Sequence, residues 1–238
     1  MNFDTASINE KIYQLLRERI IFGEYAPGSR IEIKNLSQEL NVSPQHVKEA
    51  IFRLAGEGFI TIVPRRGTYV RQATLKDLVN MVEARILYET GAIDLAAGQI
   101  KEKDLKRLED LCADLLETEN KTYRDIQKKN MAFHCAVVSL SKNQWLDEAH
   151  ELLMGHYACL HYRYVVRQKD YSDAQQIYRD HRMVVDALDQ EDIKEAKKVV
   201  RLHMQRVKDK IEKELFAENS RNNEKDIEYT AASIKAFI

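Results

Sequence analysis

Proline and glycine are scarce in this sequence, and their positions divide it into two parts. The chain has 238 residues with only three prolines and eight glycines, and all the prolines and five of the glycines lie before residue 73. Both residue types interrupt helices, proline because it lacks a backbone donor and glycine because it is conformationally free. From Ala73 onward no proline occurs and apolar residues recur at helical spacing, which predicts an all-helical second part.

Cysteine and long apolar runs are scarce as well. The three cysteines are widely separated and form no CxxC motif, a pattern typical of reduced thiols rather than of a disulfide framework. No apolar run approaches the length of a membrane span. The first ten residues, MNFDTASINE, have neither the basic region nor the apolar core of a secretory signal. We therefore expect a cytoplasmic protein that does not contact a membrane.

The composition is that of a globular protein with a sizeable core, 44% hydrophobic and 32% charged, with a net charge of −1. This charge argues neither for nor against a nucleic-acid partner, so the location of the basic residues decides more than their sum. We predict two domains, residues 1–72 and residues 73–238. The second domain is predicted to start with Thr74 as the N-cap of a helix that begins at Leu75.

The first domain has the pattern of a winged helix-turn-helix. Helices are predicted over 8–22, 34–40 and 44–55, followed by two strands, 59–63 and 68–71, that pair across the turn Pro64–Gly67. The predicted fold class is therefore mainly α, with an N-terminal winged helix-turn-helix that carries a small β-hairpin wing and a C-terminal all-α helical bundle.

The third helix of this domain has side chains suited to the major groove of double-stranded DNA. Ser43 caps it, Gln45 can read adenine, and Lys48 can reach guanine or phosphate. Arginines at the wing tip can clamp phosphates or enter a minor groove, and basic residues of the preceding helix can contact the backbone. The predicted DNA contacts are Arg30, Lys34, Ser43, Gln45, His46, Lys48, Arg65, Arg66 and Gly67. The alternative is a protein-binding winged helix whose charges are ordinary solvated ones.

The second domain is predicted to contain helices over 75–98, 103–118, 122–141, 145–168, 173–189 and 192–216, with a tail helix near 225–236. Three histidines, His134, His181 and His203, fall on apolar stripes that should face the core, and Asn130 lies one turn before the first. Converging neutral imidazoles suit a divalent transition metal such as Zn or Ni, whereas a single histidine of this kind is more often a hydrogen-bonded core residue. The remaining bundle histidines, His150, His156 and His161, are interpreted as surface or partly buried structural residues.

The first domain resembles the GntR family of bacterial transcription regulators. The resemblance is carried by Pro27-Gly28-Ser29, Leu36-Ser37, Val42-Ser43, Val47 through Ile51, Leu54, Glu57-Gly58, Arg66-Gly67 and Val70. This chain has Pro44, His46, Lys48 and Phe52 where the family usually has Arg, Pro, Arg and Arg, so some base-reading arginines are missing.

The second domain resembles the FCD-type (fatty-acid-regulator-like) effector domain of the same family. The residues that carry this are Arg85, Glu89, Ala92, Ala96, Ala97, Asn130, Phe133, His134, Asn143, Asp180, His181, Ala187, Leu188, Asp192, Ala196, His203 and Met204. The resemblance implies a helical bundle, a homodimer, a metal held by one Asp or Asn and three His, and a small carboxylate effector. The implied ligands here are Asn130, His134, His181 and His203, with an amide where the family more often has a carboxylate.

Together these patterns predict a ligand-responsive, DNA-binding transcription regulator, by default a repressor that an organic-acid effector releases. Arg85 is the candidate for pairing with the effector carboxylate, and an ion pair with Glu89 one turn later is the alternative. We predict no enzymatic activity, since Asp180 and Glu195 are near the histidines in sequence but lie off their stripes. A metal-dependent hydrolase with a DNA-binding appendage and a metal sensor are the rival functions.

Overall fold

The computed structural model describes residues 3–116, 122–165 and 174–213. Two groups of elements can be distinguished, which we call the head (α1 to β3) and the bundle (α4 to α9). Their bounds are α1 (Phe3–Ile21), β1 (Arg30–Ile31), α2 (Ile33–Glu39), α3 (Pro44–Gly56), β2 (Ile60–Val63), β3 (Gly67–Val70), α4 (Leu75–Ala96), α5 (Glu102–Leu116), α6 (Tyr123–Ser139), α7 (Gln144–Val165), α8 (Ala174–Asp189) and α9 (residues 193–213). The predicted fold class, mainly α with a winged helix-turn-helix before a helical bundle, is confirmed.

Capping residues fix where the helices that carry functional side chains begin. The hydroxyl of Ser43 accepts the backbone N–H of His46, and Pro44 opens α3, where its missing N–H would have had no helical partner. Thr74 and Asp77 exchange side-chain and backbone hydrogen bonds in a capping box that starts α4. Both caps are where the sequence predicts them.

The sheet contains one strand more than the sequence predicts. The hairpin pairs β2 with β3 antiparallel, from Ile60 opposite Val70 to Val63 opposite Gly67. The additional strand β1 pairs with the other edge of β3, so the order is β1-β3-β2 and β3 is central. β1 has only two residues, too few to show the alternation that identifies a strand in a sequence. Arg30 therefore lies on a strand and not on the helix before α3, which corrects its predicted setting.

The helices differ from their predicted ranges mainly at the ends. α1 begins at Phe3, five residues earlier than predicted, and α4 ends at Ala96, two residues earlier. Helix ends are the least certain part of a pattern-based prediction, since capping and fraying decide them locally. The predicted tail helix near 225–236 and the predicted ends at 117–118, 166–168, 173 and 214–216 lie outside the described residues.

Two hydrophobic cores hold the molecule together, and α7 contributes to both. The bundle core includes Met154, Tyr157 and Leu160 of α7. The head core, built mainly from α1, α3 and the sheet, also includes Ala158 of α7. A helix that packs into two cores links them mechanically, because its opposite faces belong to different packed units.

None of the helices within the described ranges is long and apolar enough to cross a lipid bilayer.

Candidate functional site

The third helix of the head, α3, presents one stripe of side chains to solvent. Its opposite side is buried in the head core and consists of Val47, Ala50, Ile51 and Leu54. The exposed stripe contains Gln45, Lys48 and Phe52, which follow one another at spacings of three and four residues. We call these three residues the reading stripe.

The neighbours of this stripe are held by contacts within the head. Glu49 accepts hydrogen bonds from the amide groups of Gln45, at 3.1 Å, and Asn9. His46 Nδ1 lies 2.7 Å from Asn9 Oδ1, so this predicted DNA contact is turned towards α1. Lys48, by contrast, is exposed and forms no ion pair within the part of the chain that the structure describes. Ser43 is used as the helix cap.

The wing tip is exposed and its backbone is specialised. Arg65 and Arg66 both face solvent, and Arg65 has a positive φ of 62°. Gly67 has a φ of 131°, and a Cβ there would come within 2.8 Å of Nε of Arg30. A side chain at Gly67 would therefore displace Arg30, which pairs with Glu32 at 3.0 Å. Arg65 and Arg66 are thus adjacent at the wing tip, and Arg30 of β1 lies beside Gly67. All three arginines are on the surface expected to contact phosphates.

Arg30 and Lys34 are also on the surface of the head, on β1 and at the start of α2. The structure thus presents Gln45, Lys48, Arg65, Arg66, Arg30 and Lys34 to solvent, with Gly67 shaping the wing. His46 and Ser43 are engaged within the head. This surface carries basic groups from α2, α3 and the wing, as a major-groove reader with phosphate contacts requires.

Inside the bundle, His134, His181 and His203 come together from α6, α8 and α9, and we call them the histidine cluster. All three are buried, and one potential ligand atom from each lies within 4.8 Å of the others. The Nε2 atoms of His134 and His181 are 3.3 Å apart. Two nitrogens bound to one tetrahedral Zn at 2.0–2.1 Å lie about 3.4 Å apart, so this spacing fits a shared ion. The predicted convergence of the three histidines is confirmed.

Buried carboxylates orient two of these imidazoles. His134 Nδ1–H donates to Glu89 Oε2 at 2.9 Å, and His203 Nδ1–H donates to Asp180 Oδ2 at 2.8 Å. An ionised carboxylate can only accept, so Nδ1 carries the proton in both rings and Nε2 is the nitrogen that a metal could bind. This is the arrangement in which an outer carboxylate fixes the tautomer of a metal-ligating histidine.

The protonation states agree with this arrangement. Burial lowers the pKa of His134 to about 3, although Glu89 opposes the shift, and burial also holds the pKa of His181 well below its usual range. Burial disfavours ionisation of Asp180, but hydrogen bonds from His203 and Arg206 outweigh it and lower the Asp180 pKa to about 2. His134 and His181 are thus neutral imidazoles at neutral pH, as metal binding requires.

A second buried group extends the cluster towards α4 and α7. Glu89 is fully buried and accepts from Arg85 Nε at 3.1 Å and from His150 Nε2 at 3.4 Å, in addition to His134. Burial raises the pKa of Glu89, but His134 and Arg85 outweigh it and hold the pKa well below its usual range. The Arg85 guanidinium also lies over the ring of Tyr157, 4.5 Å from its centroid. The ion pair predicted as the alternative role of Arg85 is therefore formed.

Some polar atoms in this region have no hydrogen-bond partner among the described residues. They are Asn130 Oδ1, Arg85 Nη2, His150 Nδ1 and His181 Nδ1, all buried. Asn130 lies one turn before His134 on α6 and is 6% exposed. A buried amide oxygen without a donor is costly, and a cation is one partner that would relieve it. Asn130 and the three histidines thus fit a metal ion by their chemistry.

Sequence reasoning was wrong about two residues of this site. His150 was interpreted as a surface or partly buried structural residue, yet it is fully buried and contacts Glu89. Asp180 was placed off the stripe, yet it is 3% exposed and bonds His203. Helical spacing places a side chain relative to its own helix only, whereas these contacts depend on how α4, α7 and α9 pack. His161 is partly buried against Tyr157, as predicted.

His156 belongs to a contact between the bundle and the head. Its ring stacks on Phe59 at 4.1 Å between centroids, and its Nε2–H donates to the Glu57 carbonyl at 2.8 Å. A cavity at this contact is lined by Ile20, Phe59, Met81, His156, Cys159 and Leu160, among others, and by none of the histidine cluster. The cavity is thus separate from the candidate metal centre.

The fold and these sites define a class of protein. A winged helix-turn-helix with a basic reading surface, joined to a helical bundle with a buried ligand-type cluster, is the architecture of a DNA-binding transcription regulator. Comparison with protein families agrees: residues 80–206 match the FCD domain, and residues 8–70 match the bacterial regulatory proteins of the gntR family. The chain belongs to the GntR family of transcription regulators, in the group that carries an FCD domain.

Individual relatives lead to the same family. The chain is 27% identical to the HTH-type transcriptional repressor RspR of Escherichia coli over 91% of this chain and 93% of that protein. It is 27% identical to the Uxu operon regulator of Haemophilus influenzae over 84% of this chain and 80% of that protein. The structure of Escherichia coli McbR/YncC has the same fold, with a TM-score of 0.75 at 22% identity over 87% of this chain and 98% of that one.

The family membership also decides between regulator and enzyme. The family and the relatives are transcription regulators and not enzymes, as predicted. The site agrees chemically, because Glu89 and Asp180 already accept hydrogen bonds from His134 and His203. A carboxylate engaged in this way orients a histidine and is not free to activate water as a general base.

Proposed function

We propose that the chain is a homodimeric repressor that binds a divalent transition metal, Zn or Ni, in its bundle and senses a small carboxylate there. The observation that carries this proposal is the meeting of three buried imidazoles from α6, α8 and α9 around one point. Asn130, His134, His181 and His203 would hold the ion. We further propose that residues 1–72 act as the DNA-binding domain and residues 73–238 as the effector and dimerisation domain.

The donor set explains why an anion would bind here. Three imidazoles and an amide carry no negative charge, so they leave the charge of a divalent ion uncompensated. When bound, the metal would offer a carboxylate an open coordination position, and its positive charge would attract that carboxylate. Arg85 supports this, because its Nη2 is buried and unpartnered while its Nε holds Glu89. One guanidinium can thus donate to Glu89 and still have a free donor for a carboxylate.

The contacts of α6 and α7 suggest how such binding would reach the DNA. On α7, His150 and Tyr157 contact Glu89 and Arg85, while His156 contacts Phe59 of the head. On α6, Lys128 and Arg124, six and ten residues before His134, pair with Glu18 of α1. A shift of either helix at the cluster would therefore move the head, and the effector would select the arrangement it binds more tightly.

Exposed apolar side chains of the bundle support a second copy as partner. Leu87 and Leu95 on α4 and Trp145 at the start of α7 are each at least half exposed. Exposed large apolar side chains are candidates for an association surface where they form one contiguous patch. Two copies would present two heads to a two-fold-related operator, whose half-site spacing would mirror the dimer.

The metal content of untagged protein purified without chelator tests the central claim. We expect about one divalent ion per chain in the wild type and loss of the ion in the His134→Ala/His203→Ala double variant. The matched control is His46→Ala/His156→Ala, which removes two histidines outside the cluster and should keep the ion. Absence of metal from a folded wild type would contradict the proposed centre and leave the histidines a structural role.

The effector claim is tested by operator binding of the metal-loaded protein with a panel of small mono-, di- and tricarboxylates. We expect one class of acid to weaken DNA binding, and Arg85→Lys to abolish that response while retaining metal. Lysine keeps the positive charge beside Glu89 but loses the forked donor geometry. An unchanged response in Arg85→Lys would remove Arg85 from the effector site. DNA binding that follows free metal without any acid would instead indicate a metal sensor.

A further inference from the structure

Phe52 on α3 is 63% exposed, although every other apolar side chain in the middle of that helix is buried. The packing of α3 on the head core is complete without it, since Val47, Ala50, Ile51 and Leu54 are each at most 2% exposed. A lone exposed apolar side chain is common on protein surfaces and needs no explanation by itself. The location of Phe52 on the reading stripe is what makes it informative.

Phe52 lies one turn after Lys48 and two turns after Gln45 on the same face of α3. The polar side chains next to it are occupied. Arg53 pairs with Glu10 at 2.6 Å and lies over the ring of Tyr13 at 3.5 Å, and Glu49 is held by Gln45 and Asn9. Lys48 and Phe52 are thus the two side chains of the stripe that remain available to a partner.

The surroundings favour DNA over a protein as that partner. Lys34 on α2 and Arg65 and Arg66 on the wing are all exposed on the same domain, and basic groups on three elements match a phosphate backbone. The floor of the major groove offers an apolar group only where thymine presents its C5-methyl, and phenylalanine is among the side chains that contact it.

We propose that Phe52 is a specificity-determining residue that reads the C5-methyl group of a thymine in each half-site of the operator. The proposal rests on the proposed function, in which α3 enters the major groove. Phe52 and Lys48 are four residues apart, about 6 Å along the helix axis. We therefore expect the thymine to lie one or two base pairs from the base or phosphate that Lys48 contacts.

The test uses the full-length protein and synthetic DNA. Duplexes are first selected by the wild type from a random pool, and each thymine of the selected site is then replaced singly by deoxyuridine. Uracil keeps every hydrogen-bonding group of thymine and lacks only the methyl. We expect deoxyuridine at one position per half-site to weaken wild-type binding about threefold to tenfold, in line with loss of one buried methyl contact.

The Phe52→Ala variant completes a double-mutant cycle in which the second change is the replacement of thymine by deoxyuridine. It should bind the thymine duplex more weakly than the wild type and bind the deoxyuridine duplex no worse than the thymine duplex. Ile62→Ala is the matched control, since Ile62 is another exposed apolar side chain of the head, on the wing strand β2. It should keep the full sensitivity to deoxyuridine. Phe52→Leu, which retains an apolar side chain, should keep part of it.

The outcomes separate this inference from the proposed function. Equal losses for wild type and Phe52→Ala at every thymine, or a selected site without a sensitive thymine, would overturn the role of Phe52 and leave DNA reading intact. Unchanged DNA affinity in Phe52→Ala would show that the ring does not contact DNA. This result would also overturn the proposed role of Phe52. Failure of the wild type to select any duplex would overturn both.

Discussion

The exposed basic side chains of the head and the buried side chains around the histidine cluster differ in how many hydrogen bonds and ion pairs they form before a partner binds. Lys48, Arg65 and Arg66 are solvated and keep their hydrogen-bonding capacity open. Around the histidine cluster, Glu89 and Asp180 already accept hydrogen bonds from His134 and His203, whereas Asn130 Oδ1 has no partner among the described residues. Solvated groups tolerate change at little cost to the fold, whereas buried ones do not. Each experiment below probes that difference, beginning with the largest expected effect.

Removing the charge of Glu89 should destabilise the protein strongly. In Glu89→Gln the guanidinium of Arg85 stays buried without a counter-charge, which costs about 3–5 kcal/mol of the free energy of unfolding. Chemical denaturation measures this. Glu83→Gln on the same helix is the matched control, because Glu83 pairs with Lys208 at the surface and its loss should leave the denaturation midpoint near that of the wild type. Similar midpoints for the two variants would mean that burial does not distinguish these ion pairs.

Removing Lys48 should affect DNA binding and spare stability. If Lys48 reads a base, Lys48→Ala costs on the order of 1–3 kcal/mol of operator binding, with a relaxed preference at one position. Fluorescence anisotropy with the selected duplex measures the loss, and Lys103→Ala on α5 controls for the change in net charge. A loss that is identical for every duplex sequence would indicate a phosphate contact instead. No loss at all would show that the reading stripe is assigned wrongly.

Removing the charge of Asp180 should weaken metal binding without abolishing it. Asp180→Asn can still accept from His203 but no longer increases the basicity of its imidazole, so we expect a loss of about 10–100-fold in metal affinity. Competition with a chromophoric chelator measures this affinity. Asp186→Asn, on the same helix α8 but paired with Arg182, should leave it unchanged. An unaffected affinity in Asp180→Asn would limit the role of Asp180 to packing.

The smallest expected effect concerns pH and the contact between head and bundle. Burial lowers the pKa of His156, so the unfolded chain takes up the proton first as pH falls below about 6.5. The stability contributed by neutral His156 is therefore complete above that pH and declines as pH falls towards the folded-state pKa. Between pH 7.5 and 5.5 the wild type should lose more of its free energy of unfolding than His156→Gln, whose amide can still donate to Glu57. Equal losses would show that protonation of His156 does not affect the free energy of unfolding.

The two regions also differ in how much of them could be predicted from the sequence. The reading stripe follows from one helix, since the apolar spacing of Val47, Ala50 and Ile51 determines which side faces solvent. The histidine cluster was predicted because each histidine interrupts an apolar stripe. Its partners could not be predicted, because Glu89 meets His134 and His150 only through the packing of α4, α6 and α7. The strand β1 was missed for a related reason, since only its pairing with β3 defines it.

The packing of α7 has a consequence for how such proteins can be recombined. Along the chain the expected division near residues 72 and 73 looks like a natural place to exchange one DNA-reading unit for another. In three dimensions, Ala158 belongs to the head core, and Gly155 lies so close to Arg17 and Phe59 that a Cβ would come within 2.9 Å of both. A chimaera joined near residues 72 and 73 would therefore place the head of another protein against an α7 whose side chains fit the head of this one. Joining the bundle of this protein to another head requires refitting one face of α7 to that head.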